Sequence, residues 1–225
     1  MKLTYHGHSF FEVEAAGGTN VLVDPFIESN PLNDVEVDDL APDLVAVTHG
    51  HFDHVSEAHR FDATVVCEPE IGDYVSGEGH DDVVGMNVGG TYEQDGVAFT
   101  MLQAFHSSGT PGETDFDGYG GTPASFVIDD GETKFYHAGD TGLFGDMKTV
   151  VADVYEPDVA AVPIGDHFTM GPEDAAVAVD WLEVDVALPM HYDTFPPIQQ
   201  DPGEFADAVE SADVVVPDIG ETVEV

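Results

Sequence analysis

The chain has 225 residues, with four Lys or Arg against 46 Asp or Glu, a formal net charge of −42. Binding a phosphate backbone requires clustered cations, and Lys2, Arg60, Lys134 and Lys148 are the only ones, which argues against a nucleic-acid partner. No run approaches the roughly 18 apolar residues of a membrane span, the amino terminus lacks a secretory core, and one cysteine permits no disulfide framework, so a cytoplasmic protein is expected.

Taken in order, apolar and alternating runs predict strands over about 2–6, 9–14, 20–24, 44–48, 63–67 and 97–105, with turns at Gly17-Gly18, Gly89-Gly90 and Asp95-Gly96. Helices are expected over 69–76 and 142–155. The stretch from Ser107 to Thr122 is irregular and contains five glycines and one proline. A structureless loop of that length is uncommon unless functional or disordered, so it reads either as a lid or substrate wall beside His106 or as a surface excursion. Lys134–Gly139, Val159–Ile164 and Val184–Met190 read as buried or half-buried strands. Pro172-Glu173-Asp174 opens a helix, with proline and two acids in the first turn and apolar spacing from Ala175 to Leu182. A last helix near 203–211 precedes a strand at Val214–Val216. Strands first and repeated βα units later suit a four-layer αββα sandwich of the α/β class. No linker divides the chain, so residues 1–225 are expected to form one domain.

The richest segment is His49-Gly50-His51-Phe52-Asp53-His54, four potential metal donors in six positions, directly after an apolar run. Imidazole and carboxylate suit zinc, manganese and iron. Four donors in one short turn cannot all reach one ion in good geometry, because strand and turn redirect successive side chains. Two adjacent ions fit better, with His49 and His51 converging on one and Asp53 and His54 facing the other. Three further apolar runs end in potential donors, at His106, Asp140 and His191. In α/β scaffolds the carboxyl ends of core strands are where chemistry is usually placed.

The pattern HxHxDH followed by His106, Asp140 and His191 resembles the metallo-β-lactamase superfamily, whose αββα sandwich carries a dinuclear metal site. Gly7-His8-Ser9, Tyr136–Gly142 and Pro163–Pro172 resemble its metal-dependent hydrolase branch, which is similar to the ascorbate-6-phosphate lactonase-like proteins. The resemblance implies His49, His51 and His106 on one divalent ion, Asp53, His54 and His191 on the other, and Asp140 bridging. Zinc is the first candidate, with manganese or iron also admitted by this donor set. It places His8 near the metals, as a substrate contact or a support for a ligand. Asp166 and His167, which follow another apolar run, are further candidates for a small-molecule substrate. His137, inside a strand pattern, reads as a core histidine that could orient a ligand. Asp140 stands where many β-lactamases use Cys, and Cys67 lies outside the ligand series, so antibiotic hydrolysis is not expected.

The mechanism implied is hydrolytic. Water held between two ions loses a proton near neutral pH, and the hydroxide attacks a small ester, lactone or phosphoester while Asp53 holds one ion and orients it. Two other readings remain. One is a di-iron redox enzyme on this fold, although the flavodiiron pattern has a carboxylate where His51 stands. The other is a catalytically silent metal-binding or regulatory protein, against which the full ligand set argues.

The acids are dispersed, as in Asp34, Glu36, Asp38 and Asp39, then Asp115 and Asp117, then Asp201, Glu204, Asp207 and Glu210. This reads as a solvated, salt-adapted surface from a halophile, not as a docking face for a basic partner. Self-repulsion of such a charge opposes compaction until salt screens it. The unfolding midpoint is therefore expected to rise between about 0.1 M and about 2 M potassium chloride, as the screening length falls from roughly 10 Å to below 3 Å. Equal stability at both concentrations would contradict salt adaptation.

Overall fold

Val21-Leu22-Val23 and Leu44-Val45-Ala46-Val47 are apolar at every position and fully buried, as expected of strands covered on both faces. The computed structural model describes every residue except Asp34 and Asp115, so those two acids, and Asp115's place within 107–122, lie outside the described residues.

The first six strands are β1 (Lys2–Tyr5), β2 (Phe11–Glu14), β3 (Asn20–Val23), β4 (Leu44–Ala46), β5 (Thr64–Cys67) and β6 (Val83–Gly85), lying side by side in that order. Next come β7 (Thr91–Gln94), β8 (Val97–Gln103), a separate two-stranded hairpin of β9 (Gly109–Thr110) and β10 (Gly118–Tyr119), then β11 (Ala124–Asp129), β12 (Lys134–His137), β13 (Val159–Pro163), β14 (Val186–Met190) and β15 (Asp213–Val214). These build a second seven-stranded sheet in the order β15-β14-β13-β12-β11-β8-β7. The chain returns as β16 (Thr222–Glu224), antiparallel to β1, making the first sheet seven-stranded as well.

The sheets face one another across a core in which Phe11 of β2 meets Phe135 of β12 edge to face, with ring centroids 5.8 Å apart. The alternation of strands separates this core from the outer layers. Leu22, Val45, Val47, Val65 and Cys67 point the other way, into a second cluster with Val55 of α1 (Phe52–Val55) and Ile71 and Val75 of α2 (Pro69–Gly77). On the far side, Ala175, Ala178, Val179 and Leu182 of α3 (Pro172–Leu182) and Phe205 of α4 (Pro202–Ala208) are buried beside the second sheet. The result is the αββα sandwich. Among the described residues no helix is long and apolar enough to cross a membrane.

Local chemistry accounts for most boundaries. Glu68 caps α2 by accepting from the Glu70 N–H, and Asp201 caps α4 by accepting from the Gly203 N–H at 2.8 Å. Pro172 with Glu173 and Asp174 opens α3 as its sequence suggests. The helix expected over 142–155 begins only at Met147, after Gly142 and Gly145, and winds as a π-helix to Tyr155. Strands β6, β7, β11 and β16 lacked a sequence expectation. The stretch 107–122 is not wholly irregular, since it contains the β9–β10 hairpin.

Phe135→Ala removes a fully buried ring from the space between the sheets and is expected to destabilise the protein by about 3–5 kcal/mol. Denaturant unfolding in high salt measures this, and a loss below about 1 kcal/mol would contradict the stated packing.

Candidate metal centre

Strand direction brings the chemistry to one edge. In the first sheet β1 and β3 are both antiparallel to β2 and β4 is parallel to β3, so His8, Asp24 and His49 leave at the same end. In the second, β8 and β12 are both antiparallel to β11, while β12, β13 and β14 are parallel, so His106, Asp140 and His191 also share an end. Three hydrogen bonds stitch the two edges together. The His191 N–H donates to the His8 carbonyl at 2.7 Å, the Ala124 N–H to the Thr48 carbonyl at 3.0 Å, and His137 Nε2–H to the Ser9 carbonyl at 2.9 Å. His137 is thus a satisfied core histidine that joins the sheets. His8, Asp24 and His191 adopt left-handed backbone with φ of 59°, 49° and 56°, a strain of order 1 kcal/mol or more each that the surrounding structure must hold. Gly139 does the same at φ 60°, where a Cβ would stand 2.6 Å from the Ala124 carbonyl oxygen.

Two donor groups face Asp140. His49, His51 and His106 present ring nitrogens within 4.8 Å of one another, as do side-chain atoms of His8, Asp53, His54 and His191, and a third such set, Asp24 with His49 and His54, lies behind them. His49 Nε2 and His51 Nδ1 are 3.0 Å apart, about the spacing of two nitrogens that share one zinc at roughly 2.0–2.1 Å each. Asp140 lies between the groups. Its Oδ2 is 3.0 Å from His191 Nε2, 3.5 Å from His106 Nε2 and 3.9 Å from His49 Nε2, and its Oδ1 is 3.5 Å from His54 Nε2.

Asp24, fully buried at the end of β3, orients the donors. Its Oδ1 accepts the Thr48 N–H at 2.8 Å, and its Oδ2 accepts both the Thr48 hydroxyl and His54 Nδ1–H at 2.7 Å. Because Thr48 donates its only hydroxyl proton to Asp24, its oxygen receives His49 Nδ1–H at 3.0 Å. Both histidines are thereby fixed as Nδ1–H tautomers that turn Nε2 toward Asp140. Asp53 is tethered separately. His8 Nε2–H donates to its Oδ2 at 3.1 Å, and His8 Nδ1 is hydrogen-bonded with the Thr194 hydroxyl at 2.9 Å.

The electrostatics favour a cation. Burial, followed by neighbouring histidines, holds His49 well below the usual histidine range and brings His8 and His51 down to about 4, leaving neutral rings suited to coordination. Burial opposes charge on Asp140, yet His191 and His54 outweigh it and hold its carboxyl well below the ordinary value. Burial likewise opposes charge on His54, but Asp140 and Asp24 pull its pKa well above the usual range. A second proton on His54 Nε2, or a divalent ion between the neutral ring and Asp140, would answer the same negative charge. His54 Nε2 and Asp140 Oδ1 face that space as buried atoms without a hydrogen-bond partner, an arrangement that divalent ions would satisfy. The residues fit a metal.

A cavity of about 800 Å³ opens over these groups, with His51, Asp53, His106, Asp140 and His191 in its lining. None of the three expected substrate contacts lines it. His8 is fully buried behind Asp53, so it meets that carboxylate and not the cavity. The left-handed turn at Asp166 leaves Asp166 and His167 exposed, and Phe168 is the member of that loop that reaches the cavity. The 107–122 stretch supplies a wall. Ser108 Oγ accepts the Gly50 N–H at 3.1 Å and donates to the Gly120 carbonyl at 2.6 Å, which pins the hairpin to the HxHxDH loop.

Residues 19–192 match the sequence profile of a β-lactamase superfamily domain. The chain is 48% identical to a metal-dependent hydrolase of Halobacterium salinarum, an alignment covering 100% of this chain and 98% of that protein. It is also 48% identical to a metal-dependent hydrolase of Methanopyrus kandleri, with 100% of each covered. Among solved structures it is similar to a metallo hydrolase of Ignicoccus hospitalis, with a TM-score of 0.87 and 39% identity over 99% of this chain and 97% of that one.

Asp24→Asn keeps the shape of the side chain but replaces one acceptor oxygen with a donor, so it disturbs the tautomer of His54 or His49. Metal affinity, measured by competition with a chelator, is expected to fall about 10- to 100-fold. Unchanged affinity would contradict the orienting role of Asp24.

Proposed function

The chain belongs to the metallo-β-lactamase superfamily as one of its metal-dependent hydrolases, and from that premise we propose that residues 1–225 act as one domain that hydrolyses a small ester, lactone or phosphoester with two divalent ions, zinc foremost. His49, His51 and His106 would hold one ion and Asp53, His54 and His191 the other, with Asp140 shared. The position of Asp140 carries this reading, because its two oxygens face both donor groups at 3.0–3.9 Å. The −42 charge supports action in a salt-rich cytoplasm.

When bound, such ions supply Lewis acidity that can lower the pKa of a coordinated water to about 7 and stabilise developing negative charge on the substrate. The protein's own part is positional. His8 Nε2–H holds Asp53 Oδ2, which fixes the carboxylate at the cavity floor. Burial opposes its charge, but His54 and His8 keep Asp53 strongly on the ionised side, so it acts as an acceptor that orients the attacking water. His191 and His106 flank Asp140 and keep its carboxylate aimed between the donor groups. No Ser or Cys nucleophile is needed. Cys67 is buried away from the cavity, in the layer beneath α2.

Asp53→Ala is expected to lower kcat by at least about a hundredfold while leaving the unfolding transition near that of the parent. Ester and lactone turnover, with circular dichroism on the same samples, checks both. Near-normal turnover would refute the role given to Asp53.

A further inference from the structure

An acidic surface makes exposed aromatic rings conspicuous. Among the described residues the exposed large aromatic side chains are Phe105, Phe116, Tyr119 and Phe168, at 55%, 58%, 73% and 53% exposure, and the last three line the cavity over the donor groups. They come from separate segments, Phe116 and Tyr119 from the pinned hairpin and Phe168 from the loop after β13. Phe52 and Phe195 complete the wall, their rings 6.2 Å apart, and Phe116 stands edge-on to His51 at 5.0 Å. Contiguous exposed apolar surface of this kind marks a binding groove, and ligand cavities typically combine apolar walls with a few polar groups.

Among the described residues no lysine or arginine lines the same cavity. Lys2 pairs with Glu14 at 2.7 Å, Arg60 with Glu28 at 2.6 Å, and Lys134 Nζ donates to the Tyr155 carbonyl at 2.8 Å. Neither these nor Lys148 lines it, whereas Asp117 does. A phosphate or carboxylate on the part of the substrate remote from the reacting centre would meet rings, the Asp117 carboxylate and neutral hydroxyls such as that of Ser107, with no lysine or arginine to balance its charge.

We infer that the non-reacting part of the substrate is an uncharged apolar group, best an aromatic one, held by Phe116, Tyr119 and Phe168, and that a phosphate at that position is rejected. This rests on the hydrolase reading and narrows it away from phosphorylated lactones.

The test compares dihydrocoumarin with 6-phosphogluconolactone on the metal-loaded protein in molar potassium chloride. The aromatic lactone is expected to show a kcat/KM at least about tenfold higher, and Phe168→Ala and Tyr119→Ser should each reduce that ratio by roughly tenfold. Because these side chains are more than half exposed, their truncation leaves the core intact. Equal or better turnover of the phosphorylated lactone, or an unmoved ratio in both variants, would overturn the inference while leaving the hydrolase reading standing. Calorimetric binding of 2-naphthol, which needs no turnover, separates the two claims. If neither lactone is hydrolysed, lactones drop out of the hydrolase reading and the naphthol result alone decides the aromatic site. Naphthol binding that weakens about tenfold in the variants still sustains the aromatic site, and absent or unaltered binding overturns it.

Discussion

Buried negative charge is the constraint on which the rest of this structure depends. Asp24 and Asp140 are fully or almost fully buried, Asp53 stands close by, and the basic side chains that answer them are imidazoles, with no lysine or arginine among them. A carboxylate removed from water is tolerated only when hydrogen bonds or positive charge replace its hydration. Asp24 finds three donors within the protein and so acts as an anchor. Asp140 leaves an oxygen unpartnered between two histidine groups, so it calls for a cation. The distinction between these two acids separates a structural carboxylate from a proposed ligand.

The fold meets this constraint by convergence. The proposed ligands follow four different strands, β4, β8, β12 and β14, and must agree to within a fraction of an ångström, which rigid sheets do better than loops. Hydrogen bonds that cross between the sheets at His8, Ser9 and Thr48 lock the two halves at the very edge where the donors meet. The left-handed residues concentrated there are the conformational cost of turning each chain end inward. Charge follows a matching division of labour. The chain carries a net charge of −42, while the cavity over the donors is walled by rings that would bind poorly hydrated groups.

Much of this was legible in the sequence because period and punctuation agreed. Apolar runs that stop at His49, His106, Asp140 and His191 locate strand ends, and the structure brings those residues together with His51, Asp53 and His54. The opening of α3 was readable from proline and two acids. Asp24 obeys the same run-ending rule after Val21–Val23, but one more aspartate carries little contrast in a chain with 46 acids. Its role depends on a contact with His54, thirty positions on. Asp166 and His167 could not be placed because a single left-handed residue decides which side chain of that loop faces inward. The half-exposed β6 and β7 lack a clean alternation, and β11 is recognisable mainly through its pairing with β8 and β12. The aromatic wall was invisible for the same reason, since Phe52, Phe116, Tyr119, Phe168 and Phe195 meet only in three dimensions.

The proposed function requires two ions shared by Asp140. Elemental analysis of protein purified in high salt, without a nickel resin, tests this most directly. About two equivalents of divalent metal per chain are expected in the active protein, falling together with activity on chelation. Full activity with one equivalent or none would contradict that requirement.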